Sequence, residues 1–555
     1  MLISDLRPDA IALVPALLLL APAASAQDHQ DSGGVLDPER ACYDVLRYDL
    51  TLSLDVDART IDGSNVITFW LEFPSDDLRI DLDRHFEVDH LLLDGERIRF
   101  KRTDDEILVD SSKLESGKRY AIEVFYRGEP RQVKRFEAPW QGGFVWETTL
   151  SGAPWIATAC QGEGADLWWP CKDHPSDEAD SMGIAVTVPE PLVVATNGAP
   201  VGEIHNEEDG TATWLWQVTT PINNYGVALN IAPYVALEHD YVSVTGERFP
   251  FTYWCLPENE AKGRAILPEF AEHMRHLEET CGPYPFRGDK YGVVETPHLG
   301  MEHQSIIAYG NQYRGDRDFG YDWLHHHELA HEWWANLVTA RDWSDFWIHE
   351  GIGTYVQALY LEQKFGPDAY RKKMANDRRR IGHTGPVAPR GARSAGWMYL
   401  SDIGKGAPGV DIYMKGSWVC HELRWLLGDE AFFRVLRRWA YPDPALEAVT
   451  DGSACRLTDT DELLAIAERE SGTQLAWYFE VALRRAQPPQ LQVERRGDSL
   501  RLSWKAPDDL PYPMPVEVAF GEQRMRLAVP EGGAEYPVVA EPVVIDPDDW
   551  LLGAE

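Results

Sequence analysis

The residues best suited to chemistry are His327, Glu328 and His331, in the run His327-Glu328-Leu329-Ala330-His331. If that run is helical, residues four apart stack on one face, and the two imidazoles aim at one point. The spacing suits a zinc ion at ~2.0–2.1 Å per nitrogen, with Glu328 beside it as general base for an attacking water. Five letters alone are modest evidence. Glu350 strengthens them: it stands in Trp347-Ile348-His349-Glu350-Gly351, with eighteen residues between it and His331. That interval accommodates a helix end, a loop and the start of a second helix. A His, His, Glu set leaves the fourth zinc position open, as a catalytic site requires. His325 and His326 lack the paired spacing and are expected to be a solvated run with no role.

The wider pattern resembles a known family. HELAHEWWANLVT followed by WIHEG is similar to the zinc aminopeptidases of the aminopeptidase N and leukotriene hydrolase type, the M1 peptidases. Their pattern is H-E-x-x-H-x-W-x-G-N-L-V-T, then W-L-x-E-G. Trp333, Asn336, Leu337, Val338 and Thr339 are kept, whereas Ala335 replaces the usual Gly and Ile348 the usual Leu. Upstream, Gly300-Met301-Glu302-His303 resembles the family's G-M-E-N or G-M-E-H on the edge strand of the catalytic domain. The resemblance implies that Glu302 grips the substrate's N-terminal ammonium and that Gly300 and Met301 line the substrate. An exopeptidase must measure one residue from amine to scissile carbonyl, and a fixed carboxylate does so through a charge-assisted hydrogen bond. Downstream, Tyr413-Met414-Lys415-Gly416 resembles the family's Y-x-K-G, whose Tyr donates to the oxyanion. A phenol suits that task, being neutral at pH 7 and able to donate as charge develops. Gln161 lies nine residues before Pro170 in Pro170-Cys171-Lys172-Asp173, a run similar to the family's P-C-x-D. That offset implies a second amine contact, for which Glu163 is a nearby competitor.

The elements that must position these residues fall into three blocks. Tyr48, Leu50, Leu52, Leu54 and Val56 alternate with polar residues, the period of a half-buried strand. Val66 to Phe73, Tyr120 to Tyr126, Gly183 to Val194 and Ala212 to Val218 are further strand signals, with a turn expected at Asp62-Gly63. From about residue 241 the texture becomes helical: Glu260 to Glu279 carries Ile266, Phe270, Met274 and Leu277 at helical spacing and breaks at Cys281-Gly282-Pro283. Tyr291 to Glu295 reads as a strand, Gly351 to Phe365 as the second motif helix and 376–410 as a loop bordering a cleft. Helices are expected near 417–428, 430–440 and 460–484, the last opened by the box Asp459-Thr460-Asp461-Glu462. After Pro488-Pro489 the alternation returns.

The reading is therefore an α+β multidomain chain. An N-terminal antiparallel β-domain (27–240) precedes a thermolysin-like zinc catalytic domain (241–487) and a small C-terminal β-sandwich (488–555). Residues 1–26 read as an export signal, with an apolar run from Ala10 to Ala21 broken by Pro15 and a small-x-small site at Ala24-Ser25-Ala26. Asp5, Arg7 and Asp9 give its start no positive excess. The run is too short and interrupted for stable membrane insertion, and the expected location is periplasmic or secreted. Asp and Glu number 90 against 52 Lys and Arg, a net charge of −38 that repels phosphate backbones and argues against nucleic-acid binding. The 7 cysteines form no C-x-x-C, and Cys160 and Cys171 are the nearest pair that a disulfide could join.

The function implied is removal of N-terminal residues from peptides, with one zinc ion held by His327, His331 and Glu350. Glu328 and Tyr413 would be catalytic, and Glu302 and Gln161 would bind the amine. A thermolysin-type endopeptidase, an epoxide hydrolase and an inactive peptide-binding protein on the same fold are the alternatives.

Overall fold

Strand Tyr43–Asp55 realises the alternation seen in sequence: Tyr48, Leu50, Leu52 and Leu54 are buried between exposed or half-exposed neighbours. It is central to an eight-stranded sheet. In order this runs Ala199–Asn206, Thr211–Val218, Ser181–Pro189, Tyr43–Asp55, Thr60–Leu71, Lys118–Gly128, Phe86–Leu93 and Glu96–Ile98. All neighbours are antiparallel except Tyr43–Asp55 and Ser181–Pro189, which run parallel. The structure is a computed structural model and describes residues 32–138, 140–401 and 406–554; the expected export signal, residues 1–26, lies outside them.

Asp62-Gly63 is not a turn. Both residues sit in strand Thr60–Leu71, paired with Ser53 and Leu52. The turn falls at 56–59, where the Asp55 side chain accepts from Ala58 N at 2.8 Å and Arg59 takes a positive φ of 58°. Gly63 is instead demanded by packing, since a Cβ there would lie 2.3 Å from the Thr51 carbonyl oxygen. The run from Gly183 to Val194 also divides, into Ser181–Pro189 and Val193–Thr196, because the chain turns between Pro189 and Leu192.

A second sheet, ordered Val193–Thr196, Leu229–Ala232, Pro154–Ala159, Gly143–Thr148, leads directly into Gln161. The next sheet has five strands: Val235–His239, Phe251–Cys255, Tyr291–Glu295, Ile307–Tyr309 and, at its edge, Gly300–Met301. Helix α1 (Glu260–Cys281) packs on it through Phe270, Met274 and Leu277, and ends where Gly282 adopts φ 114°. Helices α2 (Trp323–Ala330), α3 (Trp347–Phe365) and α4 (Asp411–Leu427) complete the surroundings of the site.

Three expected boundaries move. Residues 376–378 belong to helix Pro367–Arg378, and 397–401 form a helical turn, so the loop between them is shorter than expected. Helix α4 begins at Asp411 rather than 417, which places Tyr413 in its first turn. The stretch 460–484 is two helices, Thr460–Ser471 and Ala476–Ala482, because Gly472 caps the first in the left-handed conformation. Asp459 caps that first helix by accepting from Glu462 N at 2.8 Å, but the Glu462 carboxylate turns to Arg456 and Thr458.

Residues 490–545 form two three-stranded antiparallel sheets, as the late alternation implies. Their apolar side chains join one continuous core with the helical region, from Leu237 to Leu552. A second core fills the β-rich half and takes in Met301, Trp343, Phe346 and Ile412. All seven cysteines are free thiols, including Cys160 and Cys171.

Candidate active site

Helix α2 is only eight residues long and owes its start to Asp322. That carboxylate accepts from His325 N at 3.1 Å and is fixed by the Tyr309 hydroxyl at 2.5 Å and the Asn311 amide at 3.0 Å. His327 lies within the helix, and His331 follows its last residue with helical φ/ψ, so the four-residue stacking holds. The two Nε2 atoms are 3.3 Å apart. His331 Nδ1 donates to the Trp334 carbonyl at 2.9 Å, which selects the tautomer whose Nε2 lone pair faces the site.

Helix α3 supplies Glu350 in its first turn. Its Oε2 lies 3.4 Å from Nε2 of both histidines. The glycines of the two helical motifs explain how the elements close. A Cβ on Gly351 would lie 2.7 Å from Gly416 Cα, so α3 and α4 touch backbone to backbone, and a Cβ on Gly353 would lie 3.3 Å from His331. His349 faces away and accepts from Ala340 N at 2.8 Å. From α4, the Tyr413 hydroxyl donates to Glu350 Oε1 at 2.9 Å. Lys415 is structural, donating to the Arg485 and Ala486 carbonyls at 2.5 and 3.0 Å.

The triad fits a zinc ion. A tetrahedral ion with bonds of ~2.0–2.1 Å separates its ligand atoms by about 3.3 Å, and the observed separations are 3.3, 3.4 and 3.4 Å. Glu350 Oε2 is buried with no hydrogen-bond partner, a costly state for a carboxylate oxygen without a cation. Burial alone would raise the Glu350 carboxyl, yet the two imidazoles hold it well below the usual range; burial would lower His331, but Glu350 raises it.

A second buried group shares His331: Glu302, Glu328 and His331 place their ligand atoms within 4.8 Å of one another. Gly300 makes room for this, since a Cβ there would lie 2.5 Å from Glu328 Oε1. Burial pushes Glu328 well above the ordinary carboxylate range, against the pull of His331 and with Glu302 and Glu350 adding to it. Burial likewise pushes Glu302 up to about 7. Gln161 reaches this site from the other half, its Nε2 donating to Glu302 Oε1, whereas Glu163 is engaged by Arg131 at 2.5 Å. Met301 stands beside Glu302 with its side chain buried in the core of the β-rich half.

His325 and His326 are not solvated. His325 is fully buried, stacks on Phe270 with ring centres 3.6 Å apart and bonds to the Tyr291 hydroxyl at 2.7 Å; His326 bonds to His276 at 3.2 Å. Three contacts were not foreseen. Asn336 Nδ2 donates to the Glu302 carbonyl at 3.0 Å, Glu332 Oε1 accepts from Ser305 N at 2.8 Å, and the Tyr225 hydroxyl donates to Glu302 Oε1 at 3.2 Å. The first two lie in or beside the helix motif and are signalled by it; Tyr225 lies in no motif.

Two family models match the chain. Residues 45–225 match the peptidase M1 N-terminal domain, and residues 290–442 match the peptidase family M1 domain. The chain belongs to peptidase family M1. Bovine aminopeptidase N is 25% identical over 275 residues, 45% of this M1 chain and 26% of the bovine protein. The leukotriene A-4 hydrolase of Xenopus laevis is 26% identical over 254 residues, 42% of this chain and 38% of that one. The M1 chain thus spans well under half the length of these curated relatives. A crystal structure of an M1 zinc metallopeptidase from Deinococcus radiodurans, bound to a Tyr-Ser-Ala substrate, superposes with a TM-score of 0.64 at 22% identity. The match covers 80% of this chain and 95% of that one, and it shows a shared fold.

Proposed function

We propose that this M1 chain is a zinc metallo-aminopeptidase that removes residues one at a time from the free N-terminus of peptides. The observation that supports it is the carboxylate of Glu302, buried with Glu328 and His331 beside the His327, His331, Glu350 triad. His327, His331 and Glu350 would hold one zinc ion. Bound there, zinc supplies a Lewis acid for the scissile carbonyl and brings the pKa of water toward ~7.

The chain's own groups do the rest. Glu328 has a proton affinity raised by burial, which suits it to take a proton from water and pass it to the leaving amine. Burial keeps Tyr413 a phenol, able to donate to the developing oxyanion. Glu302 and Gln161 hold the α-ammonium, so that only the first peptide bond reaches Glu328. Gly300–Met301, last strand of its sheet, offers its backbone to the extended substrate. An endopeptidase has no use for an amine clamp at that place.

On the same reading, residues 1–26 direct export to the periplasm or beyond. The chain divides into a β-domain to 240, a catalytic domain to 487 and a β-sandwich to 555. Among the described residues no helix is long and apolar enough to cross a membrane.

The test is a set of aminoacyl fluorogenic amides assayed with and without chelator. Release that chelation abolishes and zinc restores is expected. Full activity of protein shown by metal analysis to be zinc-free would overturn the reading.

A further inference from the structure

Glu302 directly follows the edge strand Gly300–Met301, but its carboxylate is held from the other half of the molecule. Gln161 Nε2 and the Tyr225 hydroxyl both donate to the same oxygen, Oε1. Among the described residues no side chain donates to Oε2. The terminal torsion of a glutamate is broad and nearly two-fold, so its two oxygens interchange unless something distinguishes them.

Tyr225 is built to make that distinction. It is fully buried, on the one-turn helix Asn224–Gly226. That turn is fixed at both ends. Asn223 Oδ1 accepts from Gly226 N at 2.6 Å, and Asn224 Nδ2 donates to the Lys172 carbonyl at 2.6 Å. The Tyr225 ring packs against Trp343 with ring centres 5.3 Å apart. A phenol backed in this way cannot follow a carboxylate that rotates. Gln161, by contrast, is half-buried and carries an amide oxygen that can itself accept from an ammonium. The two donors therefore divide the work: Gln161 can turn to the substrate, while Tyr225 stays.

We propose that Tyr225 is a positioning residue for amine recognition, which by anchoring Glu302 Oε1 turns Oε2 toward the α-ammonium of the substrate. It rests on the aminopeptidase reading of the site. The Tyr225 hydroxyl makes no hydrogen bond to the triad; its contact with the site is Glu302. Its loss should therefore appear in how well the amine is held and not in zinc content. Tyr225→Phe leaves the Glu302 side chain in place, so the effect is smaller than that of removing Glu302.

The experiment is a double-mutant cycle with Tyr225→Phe and Glu302→Ala, read as KM and kcat on one aminoacyl fluorogenic amide. Zinc stoichiometry and melting temperature verify that each variant folds. Tyr225→Phe removes a single oxygen and leaves the ring against Trp343. The expected result is a loss of about tenfold in kcat/KM carried mainly by KM, the scale of one buried hydrogen bond to a charged group. In the Glu302→Ala background the same change should do nothing further, because the group it positions is gone. Multiplying losses would mean a general structural role and would overturn the proposal, as would wild-type kinetics for Tyr225→Phe. If wild-type protein cleaves N-acetylated and free peptides alike, the aminopeptidase reading falls and this proposal with it. If wild type demands a free amine and Tyr225→Phe does not alter KM, only this proposal falls.

Discussion

The Tyr413 hydroxyl donates to Glu350 Oε1 at 2.9 Å, while Oε2 of the same carboxylate faces the two imidazoles at 3.4 Å. One side chain thus serves both as a corner of the triad and as the rest for the phenol. The Gly351–Gly416 contact between their helices sets this relationship, because any larger residue there would separate α3 from α4.

Tyr413→Phe should therefore leave the metal in place and cost turnover. On the proposed mechanism the lost donor is of the oxyanion-stabilising kind, for which removal lowers kcat by roughly 10²–10³. Glu350→Gln should do the reverse in kind, weakening zinc binding by removing a charged ligand. Metal analysis and single-substrate kinetics on both variants separate the two effects. Zinc loss in Tyr413→Phe would show that the hydroxyl is needed to orient Glu350.

On the proposed mechanism, Glu328→Gln removes the base without removing a ligand. Zinc content should equal wild type while kcat falls by at least ~10²–10⁴. Gly300 offers no Cβ to the space beside Glu328 Oε1, so the amide can be accommodated with little strain. Turnover near wild type would assign activation of water to another group.

The triad was legible in sequence because its spacing is local: two histidines four apart need only a helix, and Glu350 needs only the next one. The β-rich half was legible through alternation, as in Tyr48, Leu50, Leu52 and Leu54. The failures have physical causes. His325 and His326 look like polar surface in one dimension, but α2 packs against α1 and the sheet, and the two rings find Phe270, Tyr291 and His276 there. Asp62-Gly63 has turn chemistry, yet its glycine answers a close approach across the sheet. Tyr225 could not have been found, since its meaning lies in a contact with a residue 77 positions away.

Glu422 joins the C-terminal segment to α4. It accepts from Leu552 N at 2.7 Å and from the Tyr478 hydroxyl at 3.1 Å, and burial pushes it up to about 7. A raised carboxyl means that the folded state holds a proton the unfolded chain releases. Its contribution is then fully present below pH ~4.5 and is lost as pH rises through about 7. Glu422→Gln keeps an acceptor for Leu552 and removes the titration. The melting temperature of wild type should fall more steeply from pH 5 to 8 than that of Glu422→Gln. Parallel curves would show that the carboxyl does not bind that proton in the fold.

On the proposed aminopeptidase reading, Glu302 sets where a peptide is cut. An ammonium held by a carboxylate in a desolvated cleft gains more than a surface pair, on the order of 2–4 kcal/mol, or roughly 30- to 1000-fold in kcat/KM. That interaction requires a free N-terminus and places only the first carbonyl beside Glu328. Peptides should therefore lose residues singly from that end, and N-acetylation should abolish cleavage. Glu302→Ala should depress this activity with zinc content unchanged, because the triad of His327, His331 and Glu350 is untouched. Mass spectrometry of one peptide in free and acetylated forms provides the readout. A ladder of N-terminal losses confined to the free form is expected. Internal cuts in both forms at similar rates would instead mark an endopeptidase, and Glu302 would then have to be read as a group that merely fills the space between Gln161 and His331.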